Sequence, residues 1–178
     1  MVDCKSGVPL PDYYVALLWA KLMGPKALSA TATAGGGGQP LPAESSAIRI
    51  YAHCTTKTSG NSVTVLAVNL DNSSTMLSFN NSLLGADDRT RPPLLPVEAY
   101  VLTPSEDAGS SLSGVAGLMG TGALLNGKPL ALGADGSLPQ LTPRGTSTLY
   151  GVAVPPRSVG FYVLDTSRHP LAACGGSE

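Results

Sequence analysis

Charge is scarce in this 178-residue chain, at 13% of residues against about 25% in an ordinary globular domain. The little there is nearly cancels: eleven Lys and Arg face twelve Asp and Glu, a formal net charge of −1. Partners held mainly through phosphate or sulfate need a basic footprint, because affinity scales with the cations presented, and its lack argues against nucleic acid. Long apolar runs are missing too. The longest, residues 13–23, contains Lys21 and falls short of the roughly 18 residues that a membrane span requires. Met1-Val2-Asp3-Cys4-Lys5 sets an acid where a signal peptide carries basic residues, and no apolar stretch follows directly. The expectation is a cytosolic protein or a chain that starts inside a longer one.

Residues for acid–base or nucleophilic chemistry are equally thin. The only glutamates are Glu44, Glu98, Glu106 and Glu178, placed in a linker, a strand start, a loop and the terminus, and the only histidines are His53 and His169. Hydrolysis of a glycosidic or peptide bond calls for paired carboxylates or a Ser/Cys–His–acid set, and no such preorganised set is legible. His53 reads as a surface strand residue rather than a base.

Glycine and proline are plentiful, at 21 and 15, a composition rich in turns and poor in helix formers that favours many short strands. The length suits one domain, able to bury roughly 70% of its unfolded surface. One helix is predicted from about Asp12 to Met23. Pro9 and Pro11 suit its first turn, Asp12 complements its dipole, Tyr14, Leu17, Leu18, Lys21 and Leu22 recur at spacings of three and four, and Gly24-Pro25 stops it. Trp19 is assigned to the buried side of this helix. Residues 29–46, with four successive glycines at 35–38, read as a linker, and the lack of a following Lys-Ser/Thr removes a phosphate-cradle reading.

From Ala47 the period becomes two, with Ile48, Ile50, Ala52 and Cys54 on one face and Arg49, Tyr51 and His53 on the other. Ser62 to Leu70 is apolar on both faces, as a covered central strand is, and Ser74 to Asn80 is expected to pair with it around Asp71-Asn72-Ser73. Further strands are predicted at Val97–Thr103, in a hairpin from Ala123 to Leu132 turning at Asn126-Gly127, and in a second hairpin of Leu149–Val154 with Val159–Asp165. Pro104 to Gly122 reads as a long surface loop. This density of short strands predicts a mainly β fold, an antiparallel β-sandwich preceded by one α-helix.

Three cysteines occur. A disulfide between Cys54 and Cys174 would close a loop of about 120 residues and place the protein in an oxidising compartment. Two buried free thiols are a second reading. A zinc site of His53, Cys54, His169 and Cys174 is a third, weakened because adjacent strand residues point to opposite faces and no C-x2-C spacing occurs. Cys4 is left without a partner. The sequons at Asn72 and Asn80 agree with the disulfide.

Motifs along the whole chain then carry a resemblance. Pro11-Asp12-Tyr13-Tyr14, continuing through Trp19 to Gly24, resembles the last barrel helix of heparanase and the plant heparanase-like proteins, glycoside hydrolase family 79. In order, Ile48 to His53-Cys54, Val65 to Leu70 with Asn72, Leu124-Leu125-Asn126-Gly127-Lys128, and Pro155-Pro156-Arg157-Ser158-Val159-Gly160-Phe161 on to Cys174 resemble successive segments of the same family. The resemblance covers about residues 8–174. It implies a (β/α)8 barrel bearing two catalytic glutamates, followed by a C-terminal β-sandwich that receives an added strand from an N-terminal segment, and a Cys54–Cys174 disulfide. It also implies a secreted or lysosomal, membrane-associated enzyme that cleaves β-glucuronide linkages with retention and uses no cofactor. None of the four glutamates here matches the catalytic pair, so the chain is expected to hold no catalytic residue.

The implied organisation is a terminal barrel-type helix and lead-in at 1–28, a linker at 29–46 and the sandwich at 47–178. Its partners are the catalytic barrel of the same protein and a glucuronide-containing glycan, with peripheral membrane association. The near-neutral charge turns the substrate away from heavily sulfated glycans. A stand-alone glycan-binding or structural module is the alternative, with Tyr51, Tyr100, Tyr150 and Tyr162 as candidate stacking platforms.

Overall fold

The computed structural model describes residues 2–4, 7–30, 47–56, 62–79, 95–105, 122–148, 151–167 and 174. The linker at 29–46, most of the loop at 104–122, Asn80, Tyr150 and His169 fall wholly or largely outside the described residues. What is described is mainly β and antiparallel, with one helix ahead of the strands.

Helix α1 spans Pro11–Leu22, with proline at its start, Asp12 in the first turn and Lys21 in the last. It has no side-chain cap at Leu10. Its stripe of Tyr14, Leu18 and Leu22, spaced by four, is buried. The far end is closed by the sheet. Thr64 Oγ1 donates to the carbonyl of Leu22 at 3.0 Å, satisfying one of the acceptors that a helix terminus leaves open.

Gly24-Pro25 ends the helix without ending regular structure, a correction to the sequence reading. Met23 turns extended (φ −87°, ψ 107°), and strand β1, Met23–Leu28, begins at once. Residues ahead of proline disfavour helical backbone, and a proline without an N–H is tolerated on an edge strand. β1 pairs with β2 (Ile48–Thr55) through a register shift between Met23 and Ala27. The outer edge of β1 carries no strand among the described residues.

The remaining strands are β3 (Ser62–Asn69), β4 (Thr75–Leu77), β5 (Pro96–Pro104), β6 (Ala123–Leu125), β7 (Lys128–Pro129), β8 (Arg144–Ser147), β9 (Val152–Val154) and β10 (Ser158–Asp165). The main sheet runs β1-β2-β3-β10-β5-β6-β7, with β8 alongside the first half of β5. β10 is its centre, joined to β3 from Ser158↔Asn69 to Asp165↔Ser62 and to β5 from Val159↔Leu102 to Leu164↔Val97. The apolar-on-both-faces run of β3 matches this placement, covered from each side.

Strict alternation divides the core in two. Leu66, Tyr100, Leu102, Phe161 and Val163 face α1, packing against Tyr14, Leu18, Leu22 and Met23. Ala52, Val63, Val65, Ala67, Val97, Ala99, Tyr162 and Leu164 face the other way, against Val152, Val154 and Leu77 of a small second sheet. That second sheet is β4 with β9.

Both predicted long hairpins are therefore corrected. β4 pairs with β9 and not with β3, and β9 does not pair with β10. Asn69 redirects the chain: fully buried, its Nδ2 donates to the carbonyls of Ser73 (2.9 Å), Val154 (3.2 Å) and Pro155 (2.9 Å), and its Oδ1 accepts from the Asp71 amide. One side chain thus satisfies backbone groups on both crossings from the main sheet to the small one. The Asn126-Gly127 hairpin forms as predicted, β6 with β7, and both turn residues hold positive φ (51° and 80°) as a two-residue turn demands.

Candidate functional site

Cys54 and Cys174 are joined, with Cα atoms 5.5 Å apart across 120 residues of sequence. The bond fixes residue 174 against the core face shared by Ala52 and Val65, where Cys174 is partly buried. A cystine sulfur is not a thiolate ligand, which removes the zinc reading, and no metal-type cluster occurs among the described residues. Cys4 is free and exposed.

His53 lies across the sheet from the disulfide, on the α1 side. A carbonyl can only accept, so its Nδ1 is the donor to Gly24 O at 2.6 Å, which leaves Nε2 as an acceptor in the neutral ring. Trp19 stands against the ring, centroids 5.4 Å apart and nearly perpendicular. Trp19 is 41% exposed, which corrects its assignment to the buried side. The buried stripe passes through Leu18, and a neighbour one step along a helix turns about 100° away. The helical wheel held that signal: a stripe at 14, 18 and 22 leaves residue 19 on the flank.

Of the tyrosine platforms, Tyr51 is 49% exposed, whereas Tyr100 and Tyr162 are buried, a second correction. Tyr162 donates its hydroxyl proton to Ala153 O at 2.8 Å, and burial pushes its pKa up to about 12, with Arg144 pulling modestly the other way. Burial also raises the Tyr100 pKa, assisted by the charge of Glu98 and a hydrogen bond to it.

Carboxylates among the described residues are tied into local structure. Asp71 accepts from the Asn72 amide and from Ser73 Oγ, Asp165 accepts from the Ser167 amide, and Asp135 accepts from the Ser137 amide. The bonds from Ser137 hold the Asp135 carboxyl below the usual carboxylate range. A glycosidase acid needs the opposite shift, a raised pKa that keeps a proton at neutral pH, with a second carboxyl about 5–5.5 Å away for the retaining reaction. Glu98 is the one glutamate among the described residues and lies exposed on β5.

Asn72 sits exposed in the turn between β3 and β4. Its Oδ1 accepts from Arg157 Nε at 2.7 Å and from a terminal guanidinium nitrogen as well, and Ser74 Oγ, two residues on, donates to Val154 O. A cavity among the described residues, about 80 Å³ between Pro11, Val15, Leu102 and Ala123, is far smaller than the roughly 300–1,000 Å³ of ordinary small-ligand pockets. No helix among the described residues is long and apolar enough to cross a membrane.

No protein-family model matches the chain. It is similar to Inactive heparanase-2 of Mus musculus and Homo sapiens, 36% identical over 162 residues, covering 88% of this chain and 24% of the relative. It is likewise similar to Heparanase-like protein 1 of Arabidopsis thaliana, 35% identical over 187 residues (92% of this chain, 31% of the relative). To Heparanase of Mus musculus it is 30% identical over 172 residues (93% of this chain, 27% of the relative). The chain thus spans about a quarter to a third of the length of these relatives. Similarity of this order runs across about nine tenths of the chain, in animal and plant sequences alike, and identifies it as a heparanase-like region.

Proposed function

We propose that this chain is the C-terminal, non-catalytic portion of a heparanase-like glycoside hydrolase. In that reading residues 1–28 supply the terminal barrel helix and, through β1, an edge strand of the sandwich, 29–46 are a linker, and 47–178 form the rest of the sandwich that supports a catalytic (β/α)8 barrel. The assembled enzyme would hydrolyse β-glucuronide linkages of a weakly charged glycan with retention, in an extracellular or lysosomal, membrane-associated setting. Asn72 and Asn80 would be its glycosylated residues here. The local engagement of Asp71, Asp135 and Asp165 supports a non-catalytic role for the described part.

The observation that carries the reading is the composition of α1. Every position except Asp12 and Lys21 is apolar; the sheet fully buries the stripe of Tyr14, Leu18 and Leu22 and partly covers Tyr13, Val15 and Leu17, leaving Ala20 exposed and Ala16 half-buried. Opposite that stripe stand Ala16 and Ala20, where a helix facing water would carry polar side chains. Small apolar residues there suit close approach of another apolar element, as a barrel would provide.

Expressing the chain joined to its upstream region tests this. Ala20→Glu should lower the recovery of active, soluble enzyme at least severalfold, while the 178-residue chain alone keeps its melting temperature within about 1 °C, since exposed substitutions cost little. Turnover of a chromogenic β-glucuronide by the 178-residue chain alone, abolished by a point mutation within it, would overturn the proposal. A second reading, an assembled protein that holds glycan without cleaving it, is favoured by the name of the relatives at 36% identity, Inactive heparanase-2. Activity of the joined protein separates the two.

A further inference from the structure

Aromatic side chains make up 5% of the sequence, and most of those described are buried or half-buried. Among the described residues, the two exposed ones, Trp19 and Tyr51, both lie near one histidine, Trp19 against its ring and Tyr51 two residues before it on the same strand face. Tyr51 and His53 are two residues apart on β2 and so share the face turned toward α1, about 6.6 Å along the strand. Trp19 reaches the same ring from the flank of the helix. The three form a stripe no more than about 12 Å long, from the strand rise and the 5.4 Å ring separation. Arg49, the next residue on that face, has its guanidinium turned back to Ile48 O at 3.2 Å and places a cation at one end.

We infer that this stripe is a saccharide subsite. Pyranose rings present apolar C–H faces and a rim of hydroxyls, and two exposed aromatic side chains within about 12 Å of each other, with a hydrogen-bonding group beside them, match that chemistry. His53 supplies the group. Its Nδ1–H is committed to Gly24 O, which fixes the ring and leaves Nε2 to accept from a sugar hydroxyl. The stacking itself does not depend on the proposed function; only the choice of an acidic sugar does.

Trp19 is the single tryptophan of the chain, so intrinsic tryptophan fluorescence reports on this site alone. Titrating the 178-residue chain with an unsulfated β-linked glucuronide tetrasaccharide, and in parallel with a neutral β-glucan tetrasaccharide, should give a saturable change in emission with at least one. Tyr51→Ala should weaken that binding at least about fivefold, and Tyr51→Phe, which keeps the ring, should stay within about twofold of the parent. Tyr51 is exposed, so both variants should melt with the parent. Preference for the glucuronide supports the site and its link to a glucuronide-processing enzyme; equal binding of the neutral sugar supports the site and severs that link. No saturable change with either sugar, or equal binding by Tyr51→Ala, overturns the subsite.

Discussion

Gly24→Ala is expected to destabilise the fold, against the usual sign of such a change. The φ of Gly24 lies outside the left-handed region, so alanine can adopt its backbone. On unfolded-state entropy alone the substitution should stabilise by about 0.4–1 kcal/mol. The structure reverses this. A Cβ on residue 24 would stand 2.3 Å from the carbonyl oxygen of Cys54 and 3.3 Å from its carbonyl carbon, backbone atoms of a paired strand that no rotamer change can move aside. β1 must therefore shift away from β2, and with it the Gly24 carbonyl that holds His53. Overpacking of this kind costs about 1–3 kcal/mol and loss of the His53 hydrogen bond adds about 1, which after the entropic gain leaves a net cost of about 1–3.5 kcal/mol. At this chain length that is a fall in melting temperature of roughly 2–14 °C. Thermal and urea unfolding of the variant measure it. A variant as stable as the parent, or more so, would refute the close packing of β1 on the Cys54 backbone.

Two further outcomes follow from the sulfur chemistry and the buried phenols. Thiol titration without reductant should find one reactive thiol, Cys4, and three after reduction in denaturant; closing a 120-residue loop is worth about 4–5 kcal/mol by the chain-entropy argument, so the Cys54→Ser, Cys174→Ser variant should lose stability of that order, and three thiols without reductant would refute the bond. Above pH 10 an unfolded tyrosine gives up its proton while folded Tyr162 keeps it to about pH 12, so the unfolded state binds fewer protons and stability falls by about 2–3 kcal/mol between these values; urea unfolding from pH 9 to 12 should show the loss, and Tyr162→Phe should show less of it.

The family was legible in the sequence because its motifs occur in order along nearly the whole chain. The pairing of Cys54 with Cys174 was one of three open readings on the residues alone, since strand alternation places Cys54 inward but says nothing of where residue 174 arrives. Trp19 was misplaced because an apolar residue in a helix was assumed to face the core, whereas α1 is apolar on more than one side. The stripe that Trp19 forms with His53 and Tyr51 joins residues 32 or more positions apart, and no local period encodes such a meeting.

The amino-acid sequence by itself determined much of where regular structure forms, though not β1 or β8. Proline and aspartate start α1, alternation defines β2 with its faces, apolar runs mark β3, β5 and β10, and Asn126-Gly127 sets a turn that only residues tolerant of positive φ accept. Apart from the β6–β7 hairpin, tertiary structure decided which strands are neighbours. Proximity in sequence favours β3 with β4 and β9 with β10, yet Asn69 satisfies three carbonyls by holding both crossings at the rim of the main sheet. β4 and β9 thus find each other across it. Alternation fixes a face because it is local to the strand; a partner is fixed by hydrogen bonds and buried area that exist only after the chain has closed on itself.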